Sequence, residues 1–218
     1  MGRQRFITLE GGEGAGKSTQ LRLLAARLAE RGHEVVVTRE PGGAEGAEAI
    51  RQLLVTGEPG RWTPLSEALL HFAAREDHLA RTIRPALARG AWVVSDRFVD
   101  STFAYQGVAQ GLGAEVIRSL SRMVIGEDMP ALTLILDLPP EIGLARAKGR
   151  APVDKSSTEK VAEDRYERME MRFHETLRNA FLAIAEAEPE RCAVMDATLS
   201  EAEVAQQIWH SVTSRLSP

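Results

Sequence analysis

A single cysteine, Cys192, stands in the 218 residues, so the chain can form neither an internal disulfide nor a metal cluster built on several thiolates. Its expected role is that of a small buried hydrophobe on a late strand. No charge of one sign dominates either: 27 Lys and Arg against 31 Asp and Glu leave a net charge of −4. That balance argues against a nucleic-acid backbone or an anionic membrane surface as partner, and for a small one. The longest convincing apolar run, Leu132 to Leu136, is far short of a bilayer span, and no charged-then-apolar leader opens the chain. Internal repeats, low-complexity tracts and domain-sized linkers are missing as well. The expectation is one soluble, cytoplasmic domain over residues 1–218, in which 44% hydrophobic residues are enough for a sizeable core.

What is there begins with Gly11-Gly12-Glu13-Gly14-Ala15-Gly16-Lys17-Ser18. The stretch fits the phosphate-loop pattern, in which glycines let backbone N–H groups curl around phosphate oxygens, the lysine reaches the outer phosphates and the hydroxyl holds Mg²⁺. Context supports the match. An apolar strand, Phe6 to Leu9, precedes it, and Thr19 to Glu30 follows with leucines at 21, 24 and 28 on one helical face, so a helix N-terminus adds its positive end to the cradle.

Further apolar, β-branched runs lie at Glu34 to Thr38, Trp92 to Ser95, Leu132 to Leu138 and Cys192 to Met195, separated by helix-length segments. This alternation predicts an α/β fold of the three-layer P-loop type: five parallel strands, helices on both faces, and ligand at the carboxyl ends of the strands. The groups just beyond each strand are therefore the candidates. Arg39 follows the second strand, ahead of the turn Pro41-Gly42-Gly43, and a short helix Ala47 to Val55 carries Arg51. A long helix from about Leu65 to Ala88 has Leu69, Phe72, Ala73, Leu79, Ile83 and Leu87 as a broad apolar face. His71 and Phe72 both lie one turn before Arg75, so either ring can share its face.

Asp96 and Arg97 emerge together after the third strand, the one suited to a Mg²⁺ shell or an acceptor, the other to bidentate phosphate binding. Ser101, Thr102, Tyr105 and Gln106 then interleave hydroxyls, an aromatic ring and an amide that suit a base and sugar, although spacing alone favours reading Tyr105 as an ordinary half-buried core tyrosine. From Arg146, Lys148 and Arg150 to Arg165 the chain turns polar and helix-breaking. Cations flanking such a segment suit a lid over transferring phosphate, or simply a solvated loop.

Taken together, the phosphate loop with Glu13, Thr38-Arg39-Glu40-Pro41-Gly42-Gly43, Phe72-Ala73-Ala74-Arg75, Asp96-Arg97-Phe98, Ser101-Thr102 with Tyr105-Gln106-Gly107, and Asp196-Ala197-Thr198 resemble bacterial thymidylate kinase over nearly the whole chain. The resemblance implies phosphoryl transfer from ATP to dTMP on the way to dTTP, with Mg²⁺, in a homodimer. Gly11, Gly12, Glu13, Gly14, Ala15, Gly16, Lys17, Ser18 and Thr19 would hold ATP, with Ser18 and Asp96 at the metal. Glu13 would contact the deoxyribose, and Arg39, Arg51 and Arg97 the 5′-phosphate. Arg75 would bond the thymine carbonyl, Thr102 and Gln106 would line the base, and Tyr105 would stand where a ribose 2′-hydroxyl clashes. Arg146, Lys148, Arg150 and Arg165 would form the basic set of a lid over about residues 146–165, in keeping with Gly14 where another subtype has arginine. The sequence departs from the family at His71, where a stacking phenylalanine is usual, and in a longer stretch between Arg150 and Arg165.

Two rivals remain within reach of the residues. A kinase for another nucleoside monophosphate or for a deoxynucleoside shares most of these features, though Arg97 favours a phosphorylated acceptor. A GTP-binding switch would need an Asn-Lys-x-Asp segment, which the chain lacks.

Overall fold

The computed structural model of the chain describes residues 5–58, 60–149, 166 and 169–218. Strands β1 (Phe6–Glu10), β2 (Val35–Arg39), β3 (Trp92–Asp96), β4 (Leu132–Asp137) and β5 (Cys192–Asp196) form one sheet in the order β2-β3-β1-β4-β5, every neighbouring pair parallel. Each strand lies within one residue of its expected bounds. Sequence neighbours of β1 are not its sheet neighbours: β3 and β4 flank it, so the loop that follows β1 opens at the centre of the carboxyl rim, where open α/β sheets bind ligand.

The pleat sorts β1 between two layers. Ile7 and Leu9 pack with Leu21, Leu24 and Leu28 of α1 (Lys17–Glu30) and with Val204, Ile208, Trp209 and Val212 of α9 (Glu201–Leu216). Phe6 turns to the opposite layer, with Phe72, Leu79 and Ile83. Cys192 is buried on β5, as expected, and burial pushes its thiol up to about 12. The other described helices are α2 (Glu45–Val55), α3 (Pro64–His78), α4 (Arg84–Ala88), α5 (Val99–Thr102), α6 (Ala114–Val124), α7 (Pro140–Lys148) and α8 (Met171–Ala187), with π-helical turns at Leu79–Ile83 and Phe103–Ala109.

The expected helix over 65–88 is continuous but not uniform. Between α3 and α4 it widens into a π-helical turn, Leu79–Ile83, closed by the Arg84 N–H on the Leu79 carbonyl. Pro85 explains it: the ring has no N–H to return to residue 81 and would clash with that carbonyl, so a wider turn relieves the conflict. The apolar face also differs from the expected one. Ala68, Phe72, Arg75 and Leu79 face inward, whereas Leu69 is 48% exposed and Ala73 is exposed. The inward face thus includes the arginine at position 75, and Leu65 and Leu69 lie outward.

Candidate active site

The loop after β1 closes on α1 through Gly16, whose φ of 90° lies in the left-handed region that favours glycine. Lys17 is charged yet only 8% exposed; its Nζ donates to the Gly11 and Gly12 carbonyls at 3.1 and 2.8 Å. Burial, and then the neighbouring Arg97, pull its pKa below the ordinary value. Ser18 Oγ donates to Asp96 Oδ2 at 3.1 Å, joining the start of α1 to the end of β3. The loop lies flat against α7: a Cβ on Gly14 would overlap the Gly143 carbonyl, and one on Gly143 would overlap that of Glu13.

Arg97 is the hub of the facing wall. Its φ is 71°, rare for a side-chain-bearing residue, and the guanidinium donates from Nη1 to the Gly11 carbonyl at 3.1 Å and to Ser101 Oγ at 3.0 Å, and from Nη2 to Glu13 Oε1 at 2.9 Å. Burial works against this charge, but Tyr105, Glu13, Asp96 and Glu10 hold its pKa above the ordinary range. Tyr105 donates its hydroxyl to Glu13 Oε1 at 3.0 Å; burial, chiefly, pushes the phenol's pKa up, so it stays a neutral donor. Its ring packs against Tyr166 and Phe181, so Tyr105 belongs to the core and also lines the cavity. Beneath Arg97, Glu10 accepts from the Phe98 N–H at 2.7 Å and from Ser101 Oγ at 2.6 Å. Burial and the nearby Asp100 raise its pKa to about 8, against Arg97 and those hydrogen bonds.

One cavity of about 450 Å³ joins the two walls. Glu13, Gly14, Ala15, Gly16, Lys17, Ser18 and Thr19 line it from the loop, and Arg39, Arg51, His71, Asp96, Arg97, Ser101, Thr102, Tyr105, Gln106 and Arg146 from the other segments. Arg51 is braced by the Pro41 carbonyl at 2.7 Å, Arg39 by Glu48 at 3.2 Å, and Arg146 by the Ala197 carbonyl at 3.1 Å.

Four sequence expectations are corrected or fall elsewhere. Phe72 does not reach the cavity; it is core, 2% exposed, with the Arg75 guanidinium 4.9 Å over its ring. Adjacent helical positions point about 100° apart, and His71 is the one on the cavity side. Gly11 and Gly12 line a small pocket behind the loop instead. Arg75 stands one layer back, its Nε on Glu40 Oε2 at 2.8 Å and its Nη2 on Thr102 Oγ1 at 3.1 Å, while Nη1 is buried with no hydrogen-bond partner among the described residues. Arg150 and Arg165, with most of the expected lid, lie outside the described residues. The sequence reading missed Glu40, Pro41, Val55 and Tyr166, which line the same cavity. Glu40 had a signal, a carboxylate beside Arg39 at the end of β2; Tyr166 had none.

A profile described as thymidylate kinase matches residues 9–208. The chain belongs to the thymidylate kinase family. It is 53% identical over 211 residues to a thymidylate kinase of Caulobacter vibrioides, covering 97% of each chain. With that of Afipia carboxidovorans it shares 49% over 216 residues, 99% of this chain and 92% of the other. The crystal structure of thymidylate kinase from Ehrlichia chaffeensis superposes with a TM-score of 0.74 at 33% identity, over 95% of this chain and 97% of that one. The five-stranded parallel sheet and its P-loop are thus those of a thymidylate kinase family member, an ATP-dependent nucleoside monophosphate kinase. No helix among the described residues is long and apolar enough to cross a membrane.

Proposed function

We propose that this thymidylate kinase family member transfers the γ-phosphoryl group of ATP to the 5′-phosphate of dTMP, giving dTDP and ADP on the way to dTTP. The observation that carries the reading is the single cavity in which the phosphate loop faces Arg97, Tyr105 and Gln106, so that two anionic phosphates can meet. Bringing them together demands in-line positioning and cancellation of charge more than covalent chemistry. Lys17 sits against the outer phosphates of ATP, with the N–H groups of residues 14–19 around them. Arg39, Arg51 and Arg97 grip the acceptor phosphate, and Arg146 adds positive charge on the moving group. Glu13 takes the deoxyribose hydroxyl, and Tyr105 leaves no room for a ribose 2′-hydroxyl. His71 covers the thymine face, Ser101, Thr102 and Gln106 line the acceptor, and Arg75 donates from Nη1 to a thymine carbonyl.

Ser18 and Asp96 fit a Mg²⁺ ion. They are hard oxygen donors in hydrogen-bond contact on the cavity wall, and Asp96 Oδ1 is buried with no partner among the described residues. Two protein oxygens suit an ion that takes the rest of its shell from phosphates and water; when bound it neutralises charge on the β- and γ-phosphates. We place the reaction in the cytoplasm and the chain in a homodimer, the latter supported by exposed Leu65 and Leu69 on α3 and Val116 and Met123 on α6, a helix packed against it.

A coupled ADP-release assay with ATP, Mg²⁺ and each monophosphate in turn tests the reading. Turnover is expected to be fastest with dTMP, to stop with EDTA and to return with excess Mg²⁺. A clear preference for dUMP, dCMP, dGMP or uridine monophosphate would defeat it.

A further inference from the structure

Glu67 of α3 is fully buried and does not line the cavity, yet three donors converge on its Oε1: Gln106 Nε2 at 2.7 Å, Gln110 Nε2 at 2.8 Å and Tyr166 Oη at 2.6 Å. Three donors on one oxygen call for a carboxylate, which only accepts. Rotating the Gln106 amide by half a turn would set oxygen against oxygen, so Glu67 fixes which end of that amide faces away from it. The end so left is Gln106 Oε1, an acceptor, buried and without a hydrogen-bond partner among the described residues. Arg75 is locked in the same manner by Glu40 and Thr102, which leaves Nη1 as a donor with no hydrogen-bond partner among the described residues.

An acceptor held on Gln106 and a donor held on Arg75, whose anchor Thr102 lines the cavity one helical turn from Gln106, match a pyrimidine that offers N3–H next to a 4-carbonyl. Cytosine presents the reverse, an N3 acceptor next to a 4-amino group. We infer that Glu67 is a positioning residue for base selection: by holding the Gln106 amide in one sense, it makes the site accept thymine and reject cytosine. The inference rests on the proposed dTMP kinase reading. Its force comes from the penalty for leaving buried polar groups unpaired, the term that lets hydrogen-bonding sites discriminate strongly between near-isosteres.

The test is kcat/KM for dTMP and for dCMP in the wild type and in Glu67→Gln, with folding checked by circular dichroism and thermal melting. The near-isosteric amide introduced by Glu67→Gln can present either end to Gln106, so the dTMP-to-dCMP ratio is expected to fall at least tenfold with KM for ATP unchanged. A purely structural role would lower both substrates alike, and an unchanged ratio in the folded variant overturns the inference. Should Glu67→Gln not fold, Glu67→Asp, whose carboxylate stands a methylene further from the amide, is measured in the same way; an unchanged ratio there is equally decisive. Failure of the underlying reading appears separately, as a wild type with no preference for dTMP.

Discussion

At the scale of single residues, the site is a set of charges held in place before any substrate arrives. Arg97 makes hydrogen bonds to a carbonyl, a hydroxyl and a carboxylate, and the same guanidinium is the one proposed to grip the acceptor phosphate. A hydrogen bond to a charged group is worth about 1.5–3 kcal/mol. At ~1.4 kcal/mol per decade of rate, Arg97→Ala is expected to lower kcat/KM for dTMP by about ten- to a hundredfold. Steady-state kinetics indistinguishable from wild type would remove Arg97 from the reaction. Glu10 yields a prediction of another kind. Its folded pKa of about 8 lies above the ordinary 4.5, so between those pH values the folded chain keeps a proton that the unfolded chain releases. Stability from this group is therefore full below about pH 4.5 and is lost as pH rises through 8. Denaturant midpoints at pH 5 and pH 8 should show the wild type losing stability relative to Glu10→Gln over that interval; parallel pH dependences would mean that Glu10 does not hold the proton.

At the scale of elements, the phosphate loop is shaped by what lies behind it as much as by its own glycines. Gly143 sits inside α7, where Gly→Ala ordinarily stabilises a helix by up to about 1 kcal/mol. Here an added methyl would meet the Glu13 carbonyl oxygen, and α7 or the loop must move. Misplacement near 1 Å in a phosphoryl-transfer site can cost about 10²-fold. Gly143→Ala is thus expected to raise KM for ATP and lower kcat together, at least tenfold in kcat/KM, in spite of the helix propensity it gains; wild-type ATP kinetics in that variant would show that the contact is slack. The two π-helical turns act at the same scale. Leu79–Ile83 lets one helix run through Pro85, and Phe103–Ala109 carries Tyr105 and Gln106 on the cavity wall.

For the whole molecule, the arrangement that buries Arg75 leaves Leu65 and Leu69 exposed on the outside of α3, four residues apart and so on one face. Isolated exposed leucines are ordinary; two on one face of α3, with Val116 and Met123 exposed on the packed helix α6, favour a partner surface. Light scattering after size exclusion is expected to give twice the chain mass for the wild type and a shift toward the single-chain mass for Leu69→Arg. A wild type that elutes at the single-chain mass would rule out the homodimer.

Strand positions, the phosphate loop and the order of site segments were legible in the sequence because each rests on local pattern. An apolar β-branched run makes a buried strand wherever it lies, and a glycine loop between strand and helix makes an anion cradle from its own backbone. The cations Arg39, Arg51, Arg97 and Arg146 could be listed for the same reason, as charges just beyond strand or helix ends. What local pattern could not decide was rotation and depth. His71 and Phe72 are neighbours with equal claims until α3 is docked, and only packing against Phe6 and Phe98 sends Phe72 into the core and leaves His71 at the cavity. Tyr166, far along the chain, meets Tyr105 and Glu67 only through the fold. Glu67 itself gave no signal, since a glutamate on a helix reads as solvated surface; its burial and its hold on Gln106 exist because α3 and the π-helical turn Phe103–Ala109 pack face to face, a contact between segments that periodicity along one chain does not encode.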